Sequence, residues 1–200
     1  MKWIFLILLF ALKTDNKSFE VSYQIDAASR LYLNGKTNIS NYECYCKDEF
    51  KPTVLKGTKV VENGNTEFHN ATLQIQTSLL SCKNRLMNRD MHKALKADQY
   101  PYITIQLHDA IPSDKFSELR MNTWHFYTAN VSLTIAGITK KTQLHIKVNK
   151  QESNKYRLVS EKELLMSDFK VKPRTPFNMI RIEDKVNINF DMTIHVNEAN

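Results

Sequence analysis

The strongest constraint on the fold is a strictly alternating segment near the end of the chain. Six apolar residues alternate there with six polar ones, and the apolar set is Val186, Ile188, Phe190, Met192, Ile194 and Val196. Because successive side chains of a strand point to opposite faces, this pattern predicts one long antiparallel strand with a buried side and a solvent-facing side. At about 11 residues it is longer than most strands, which have about 5 or 6.

Shorter segments of the same period lie along the rest of the chain, at residues 21–25, 31–33, 54–61, 71–80, 103–107, 131–135 and 144–148. Asn63-Gly64 separates two of them and predicts a hairpin, because this dipeptide suits the tightest turns. Many short strands predict an all-β fold, either an antiparallel up-and-down barrel of about eight strands or a sandwich. We favour the barrel, because closure removes exposed sheet edges.

A single helix is predicted near residues 84–96. We expect Asn88 to cap it, with helical residues from Arg89 to Lys96. Apolar residues at helical spacing would form one face, namely Met87, Met91, Ala94 and Leu95. Tyr100-Pro101 then requires extended backbone, which returns the chain to a strand.

The first residues indicate export. Lys2 precedes an apolar run that ends at Leu12. A run of about ten residues is too short to span a bilayer, which needs about 20, but it is typical of a secretory signal. We therefore predict a signal peptide over residues 1–17, cleaved between Ala11 and Phe19, and a single domain over residues 18–200. The expected location is the periplasm or the extracellular medium.

Three cysteines, Cys44, Cys46 and Cys82, would lie in that oxidising compartment. One disulfide and one free thiol are expected, and either Cys44 or Cys46 could pair with Cys82, since the first two share a face of a strand. A zinc site is the alternative, although three sulfurs without a suitably spaced histidine make a poor structural site. No metal site is predicted.

The sequence indicates no catalytic chemistry. The six histidines form no metal-binding spacing, and nucleophile-elbow, phosphate-loop and dinucleotide motifs are missing. His145 and His195 are expected on the solvent side of strands, and Asp168 in a turn at a strand end. We therefore predict a protein that is not an enzyme and needs no cofactor.

The net charge of the chain is +7, and removal of the signal peptide leaves a mildly basic domain. No stripe of cations interleaved with aromatic residues is present, so nucleic acid is not an expected partner. Peripheral contact with an anionic membrane surface is compatible with the charge.

Several segments taken together resemble one known family. They are Gly35 to Cys44, Met87 to Lys96 followed by Tyr100-Pro101-Tyr102-Ile103, Leu133 to Lys140 with the pattern Leu-Thr-Ile-Ala-Gly-Ile-Thr-Lys, and Leu164 to Val171 with Ser167-Asp168-Phe169. In this order and spacing the chain resembles the YceI-like family of exported bacterial proteins with a lipocalin-like barrel. The resemblance implies a helix beside one barrel opening and an apolar interior that holds a polyisoprenoid, quinone or fatty-acyl lipid. The positions of Cys44 and Cys82 resemble a subgroup with a disulfide-linked barrel.

If the resemblance holds, the inward-facing residues of the strands and helix would line the ligand site. The predicted set is Leu73, Ile75, Met87, Met91, Leu95, Ile103, Ile105, Leu107, Leu133, Ile135, Leu144, Ile146, Ile188, Phe190 and Met192. Met87, Met91 and Leu95 could form a flexible helical lid, since methionine adapts to irregular shapes. The alternative is a barrel with a filled core that acts as a disulfide-linked protein-interaction module through its surface.

Overall fold

A computed structural model describes residues 16–113, 118–173 and 180–198. The strands described there, β1 to β12 in chain order, are Asn16–Ile25, Arg30–Thr37, Asn41–Cys46, Thr53–Val60, Thr66–Phe68, Thr72–Gln76, Leu80–Ser81, Tyr102–Pro112, Trp124–Ile135, Ile138–Lys150, Lys155–Leu165 and Ile182–Glu198. The helix α1 spans Arg85–Ala94, and short 3-10 helices span Thr77–Leu79 and Met166–Phe169. Most of the predicted signal peptide, residues 1–15, lies outside this description, whereas Asn16 and Lys17 pair with β4.

Eight of the strands close into a ring. Its order is β1, β4, β5, β8, β9, β10, β11 and β12, and β12 pairs back with β1. All pairings within the ring are antiparallel. The prediction of an antiparallel all-β barrel of about eight strands is therefore confirmed.

The longest described strand, β12, closes the ring by pairing with β1 and also pairs with β2. One part of β12, from Val186 to Asp191, pairs with β2, and the part beyond residue 194 pairs with β1. The turn between β1 and β2 is held by Asp26, whose carboxylate accepts a hydrogen bond from the Ala28 amide at 2.8 Å. The alternating segment thus forms one continuous strand against two shorter ones, as its length predicts.

The Asn-Gly turn joins β4 and β5 as a hairpin. The Val60 amide donates to the Asn65 carbonyl at 2.8 Å, and Gly64 has the positive φ of 74° that glycine tolerates. The strand predicted at residues 71–80 is shorter than expected, because β6 ends at Gln76. The Thr77 amide still donates in register to the Pro101 carbonyl at 2.8 Å, but proline has no N–H to donate in return, so the ladder ends there and a 3-10 turn begins.

The predicted short helix is confirmed, but its capping residue was wrong. Asn84, in extended backbone, accepts hydrogen bonds from the amides of Leu86 at 2.9 Å and Met87 at 3.1 Å. Asn88 instead lies inside the helix, and its side chain accepts from the Cys82 amide at 2.6 Å. Both asparagine side chains accept hydrogen bonds from backbone amides near the helix start. Their backbone conformations distinguish them, because Asn84 is extended and precedes the helix, whereas Asn88 is helical.

The core follows the barrel axis. Ala129, Val131 and Leu144 form a buried cluster in the middle of the barrel. Toward the β8–β9 connection, Phe19 packs edge-on against Phe68, with ring centroids 6.2 Å apart. The opposite end lies beneath α1 and is less completely filled. Among the described residues, no helix is long and apolar enough to cross a bilayer.

Candidate functional site

A cavity of about 290 Å³ lies beneath α1 at one end of the barrel and is partly open to solvent. Its lining comprises Leu33, Thr37, Tyr42, Cys44, Leu80, Cys82, Asn84, Leu86, Met87, Asp90, Met91, Ala94, Leu95, Ile103, Ile135, Leu164, Leu165, Met166, Phe169, Val171, Pro173, Ile180, Ile182, Val186 and Ile188. Apolar side chains dominate this set, as is usual in sites for small organic ligands.

One wall of the cavity is the apolar face of α1. Met87, Met91 and Leu95 recur at helical spacing and all reach the lining. The Met91 sulfur lies 3.6 Å from the Cys82 sulfur, which places the helix against the disulfide. Because methionine is unbranched and polarisable, this wall can adapt to ligands of different shape.

The opposite wall is the segment that follows β11. The 3-10 helix buries Phe169, and Lys170 then adopts the left-handed conformation with φ of 53°. The Ser167 amide donates to Asp184 at 2.7 Å, which ties this segment to the start of β12. Asp168 is part of a surface ion pair with Lys140, at 2.6 Å. These contacts hold Phe169 in the cavity wall.

A second, smaller cavity of about 50 Å³ lies deeper in the barrel. It shares lining residues with the first cavity, namely Leu33, Leu80, Ile103, Leu164 and Ile188. The two cavities therefore lie next to each other, separated by these apolar side chains. Val131 and Leu144 of the packed Ala129 cluster also line the small cavity.

The predicted lining residues divide into three sets. The large cavity is lined by Met87, Met91, Leu95, Ile103, Ile135 and Ile188. The small cavity adds Ile75, Ile105, Leu133, Leu144 and Phe190. Leu73, Leu107, Ile146 and Met192 line neither, and Leu107 and Ile146 pack against the central core cluster. Residues of the last set share the inward face but lie at other heights of the barrel.

Sequence reasoning missed part of the cavity wall. Phe169, Val171, Ile182 and Tyr42 line the large cavity but were not predicted to do so. Phe169 and Val171 lie within a segment that carries the family resemblance, and this was an available signal. Tyr42 fits because Gly35 lies opposite it on β2, where any Cβ would collide with the phenol.

Polar groups occur at the rim of the large cavity rather than in its depth. They are Thr37, Tyr42, Asn84 and Asp90, and Asp90 contacts Arg89 at 3.3 Å. Burial, together with the nearby charge of Glu183, raises the pKa of the Tyr42 phenol. The phenol therefore stays protonated at neutral pH and is able to donate a hydrogen bond.

Cys44 forms a disulfide with Cys82, which settles the choice left open by the sequence. Tyr45 faces Ser81 in the pairing of β3 with β7, and Cys46 faces Leu80, so the next pair along is Cys44 and Cys82. Cys46 is a free thiol whose pKa is raised by burial. The disulfide joins β3, which pairs with β2 outside the ring of eight strands, to the residues directly before α1, and it itself lines the cavity.

The histidines lie apart from this cavity. His145 is exposed, whereas His195 is half-buried and its imidazole lies 3.4 Å from Asp26. Within the described ranges, no three His, Cys, Asp or Glu side chains are placed to hold a metal ion.

The ring of eight antiparallel strands, with a helix over an apolar cavity at one end, defines a lipocalin-like barrel protein. The profile of the YceI-like domain matches residues 15–194. The chain therefore belongs to the YceI-like family.

Solved structures share this fold at low sequence identity. A polyisoprenoid binding domain from Saccharophagus degradans superposes with a TM-score of 0.67 at 13% identity, covering 88% of this chain and 99% of that one. BcnA from Burkholderia cenocepacia gives 0.59 at 16% identity, covering 85% and 99%. The YCEI protein of Campylobacter jejuni gives 0.53 at 17% identity, covering 82% and 88%. No curated protein matches the sequence.

Proposed function

We propose that this protein is an exported, non-catalytic binding protein that holds the apolar chain of an amphiphilic lipid in the barrel. The observation that carries the proposal is the pair of adjacent apolar cavities beneath α1. A polyisoprenoid, a quinone tail or a fatty-acyl chain fits this chemistry. The name of the S. degradans relative, a polyisoprenoid binding domain, supports the first of these.

The energetics favour a long apolar chain. Burial of each methylene contributes about 0.8 kcal/mol, so a chain of about ten contributes about 8 kcal/mol before the cost of ordering. The polar head would remain at the rim, where the Tyr42 phenol and the side-chain amide nitrogen of Asn84 are both hydrogen-bond donors.

The lining supports binding rather than catalysis. In the part of the chain that the structure describes, the titratable side chains of the large cavity are Tyr42 and Asp90, and Asp90 already contacts Arg89. A nucleophile with an adjacent base is not among these lining residues. The lining therefore offers an apolar surface and hydrogen bonds at the rim.

Mass spectrometry tests the ligand directly. The purified protein is measured under native conditions and again after organic extraction. A stoichiometric isoprenoid or acyl lipid in the extract is the expected result. An empty protein that also takes up no polyprenyl or fatty-acyl probe refutes the proposal and favours the protein-interaction module.

A matched pair of variants locates the site. Ala94→Trp places an indole in the large cavity, because Ala94 lines it. Lys93→Trp adds the same group to the neighbouring exposed position. Lipid should be lost from the first variant and retained by the second. Equal lipid content in both would place the ligand elsewhere.

Export is tested separately. Amino-terminal sequencing of the protein recovered outside the cytoplasm should give a first residue between positions 12 and 19. Recovery of the full-length chain from the cytoplasm would contradict this part of the proposal without affecting the ligand.

A further inference from the structure

Exposed apolar side chains cluster at the rim of the large cavity. Leu86 and Leu165 both line it and are 42% and 38% exposed, although they are leucines. Ile39, in the β2–β3 turn, is 69% exposed, and its neighbour Asn38 exchanges two backbone-directed hydrogen bonds with Arg181, of 3.0 and 2.8 Å. The three apolar side chains thus project from the same end of the barrel.

Five exposed cations lie at the same end of the barrel, because each is the sequence neighbour of residues that line the cavity. Each of these exposed cations stands in sequence directly between two residues that line the cavity: Lys83, Arg85, Lys170, Lys172 and Arg181. Within the described residues, none of the five forms an ion pair. We call these five cations, together with Ile39, Leu86 and Leu165, the basic rim.

The acidic groups at this end are mostly occupied. Asp90 contacts Arg89, Asp168 pairs with Lys140, and Glu163 pairs with Lys185 at 3.0 Å. Asp184 accepts hydrogen bonds from Ser167. Glu183, beside Tyr42, and Glu43, which accepts a hydrogen bond from the Tyr45 hydroxyl, are acidic side chains without an ion pair in the described part of the chain. The basic rim therefore keeps an excess of positive charge.

The far end of the barrel also exposes apolar side chains, among them Met121 at 55%, and two aromatic side chains there have cation partners. Trp124 and Phe126 are 40% and 46% exposed. The Arg157 guanidinium lies 5.9 Å from the Trp124 ring centre, and the Lys147 ammonium lies 5.9 Å from that of Phe126. Cations of the chain itself cover these rings, whereas the leucines and isoleucine of the basic rim have no such cover.

We propose that the basic rim docks this protein, cavity opening first, on the surface of an anionic lipid bilayer. Cations attract acidic headgroups, and exposed Leu and Ile side chains insert at the boundary between headgroups and acyl chains. This inference goes beyond the proposed ligand, because it concerns the outer rim and holds for an empty or a filled cavity.

Vesicle co-sedimentation of the mature protein, without the apolar amino-terminal segment and its Trp3, tests the docking. The probes are vesicles of phosphatidylglycerol and phosphatidylcholine in equal amounts, and vesicles of phosphatidylcholine alone. Binding should require phosphatidylglycerol and weaken with added salt, because ions screen surface charges. Absence of binding to the anionic vesicles at low salt overturns the proposal.

Charge-matched variants locate the docking surface. Lys170→Gln with Lys172→Gln should weaken binding to the anionic vesicles by about 30-fold, since each cation near the surface contributes about fivefold. Lys147→Gln with Lys150→Gln removes the same charge from the far end and should change binding less than about twofold, because salt screens charges that lie more than a Debye length of about 10 Å from the membrane. The reverse order of effects would refute docking through the basic rim.

Orientation has its own readout. In the background of Trp124→Phe, Leu86→Trp places an indole on the rim, and brominated phospholipid should quench its fluorescence. The native Trp124 of the unmodified protein should escape quenching. Quenching of Trp124 alone would show that the protein docks by the other end. Lipid extraction from the same variants reports on the cavity, so the two proposals can fail independently.

Discussion

Breaking the Cys44–Cys82 disulfide should lower the free energy of unfolding of the barrel and loosen the start of α1. The bond closes a loop with a sequence separation of 38 residues. Without it, the unfolded chain regains the conformations that the bond forbids, and Cys82 no longer fixes the residues before Asn84.

The magnitude follows from the loop length. The chain-entropy relation assigns the stabilisation to the lost conformational freedom of the unfolded chain. It gives about 4 kcal/mol near 25 °C for a loop of this size. A domain of this length loses about 2 to 4 °C in melting temperature for each kcal/mol, so the expected decrease is about 8 to 16 °C. This is a large fraction of a typical stability of about 5 to 15 kcal/mol.

The assay compares denaturant unfolding of the oxidised protein with that of the variant Cys44→Ser with Cys82→Ser. Changing both cysteines prevents Cys46 from forming a replacement bond. Cys46→Ser is the control, and it should change stability by less than about 1 kcal/mol, since a half-buried thiol is replaced by a hydroxyl of similar size. A loss below about 1 kcal/mol in the double variant would refute the loop-closure reasoning.

Three further predictions concern single contacts. Asn84→Ala removes the cap of α1 and should cost about 1 kcal/mol in chemical denaturation, and an unchanged midpoint would contradict the assigned cap. Gly137→Ala should destabilise the protein by more than about 1 kcal/mol, because Gly137 has φ of 79° and a new Cβ would collide with the Tyr100 ring, so a neutral result in thermal melting would contradict this packing. The hydrogen bonds from Arg157, at 2.8 and 2.7 Å, hold the pKa of Asp191 below its ordinary value. Their contribution to stability is therefore present above the unfolded aspartate pKa of about 4 and is lost as the pH falls through the lowered folded value. Asp191→Asn should flatten the acid limb of the curve of stability against pH, and an unaltered limb would show that the pair is not responsible.

Much of the fold was accessible from local patterns. The period of two in β12 identified a strand with one buried face, and Asn63-Gly64 identified a hairpin, because both signals depend on neighbouring residues alone. The helical spacing of Met87, Met91 and Leu95 likewise identified the face of α1 that lines the cavity. Local patterns gave the wrong helix cap, Asn88, because the side chain of Asn84 is equally able to accept hydrogen bonds from backbone amides.

The tertiary structure alone decided how deep each inward side chain lies. Alternation assigns Ile135 and Ile146 to the same side of the sheet, yet Ile135 lines the cavity and Ile146 packs in the central core. Register and barrel closure set these heights, and both arise from pairings between strands far apart in sequence. The choice of Cys44 over Cys46 has the same origin, because the pairing of β3 with β7 places Cys44 opposite Cys82.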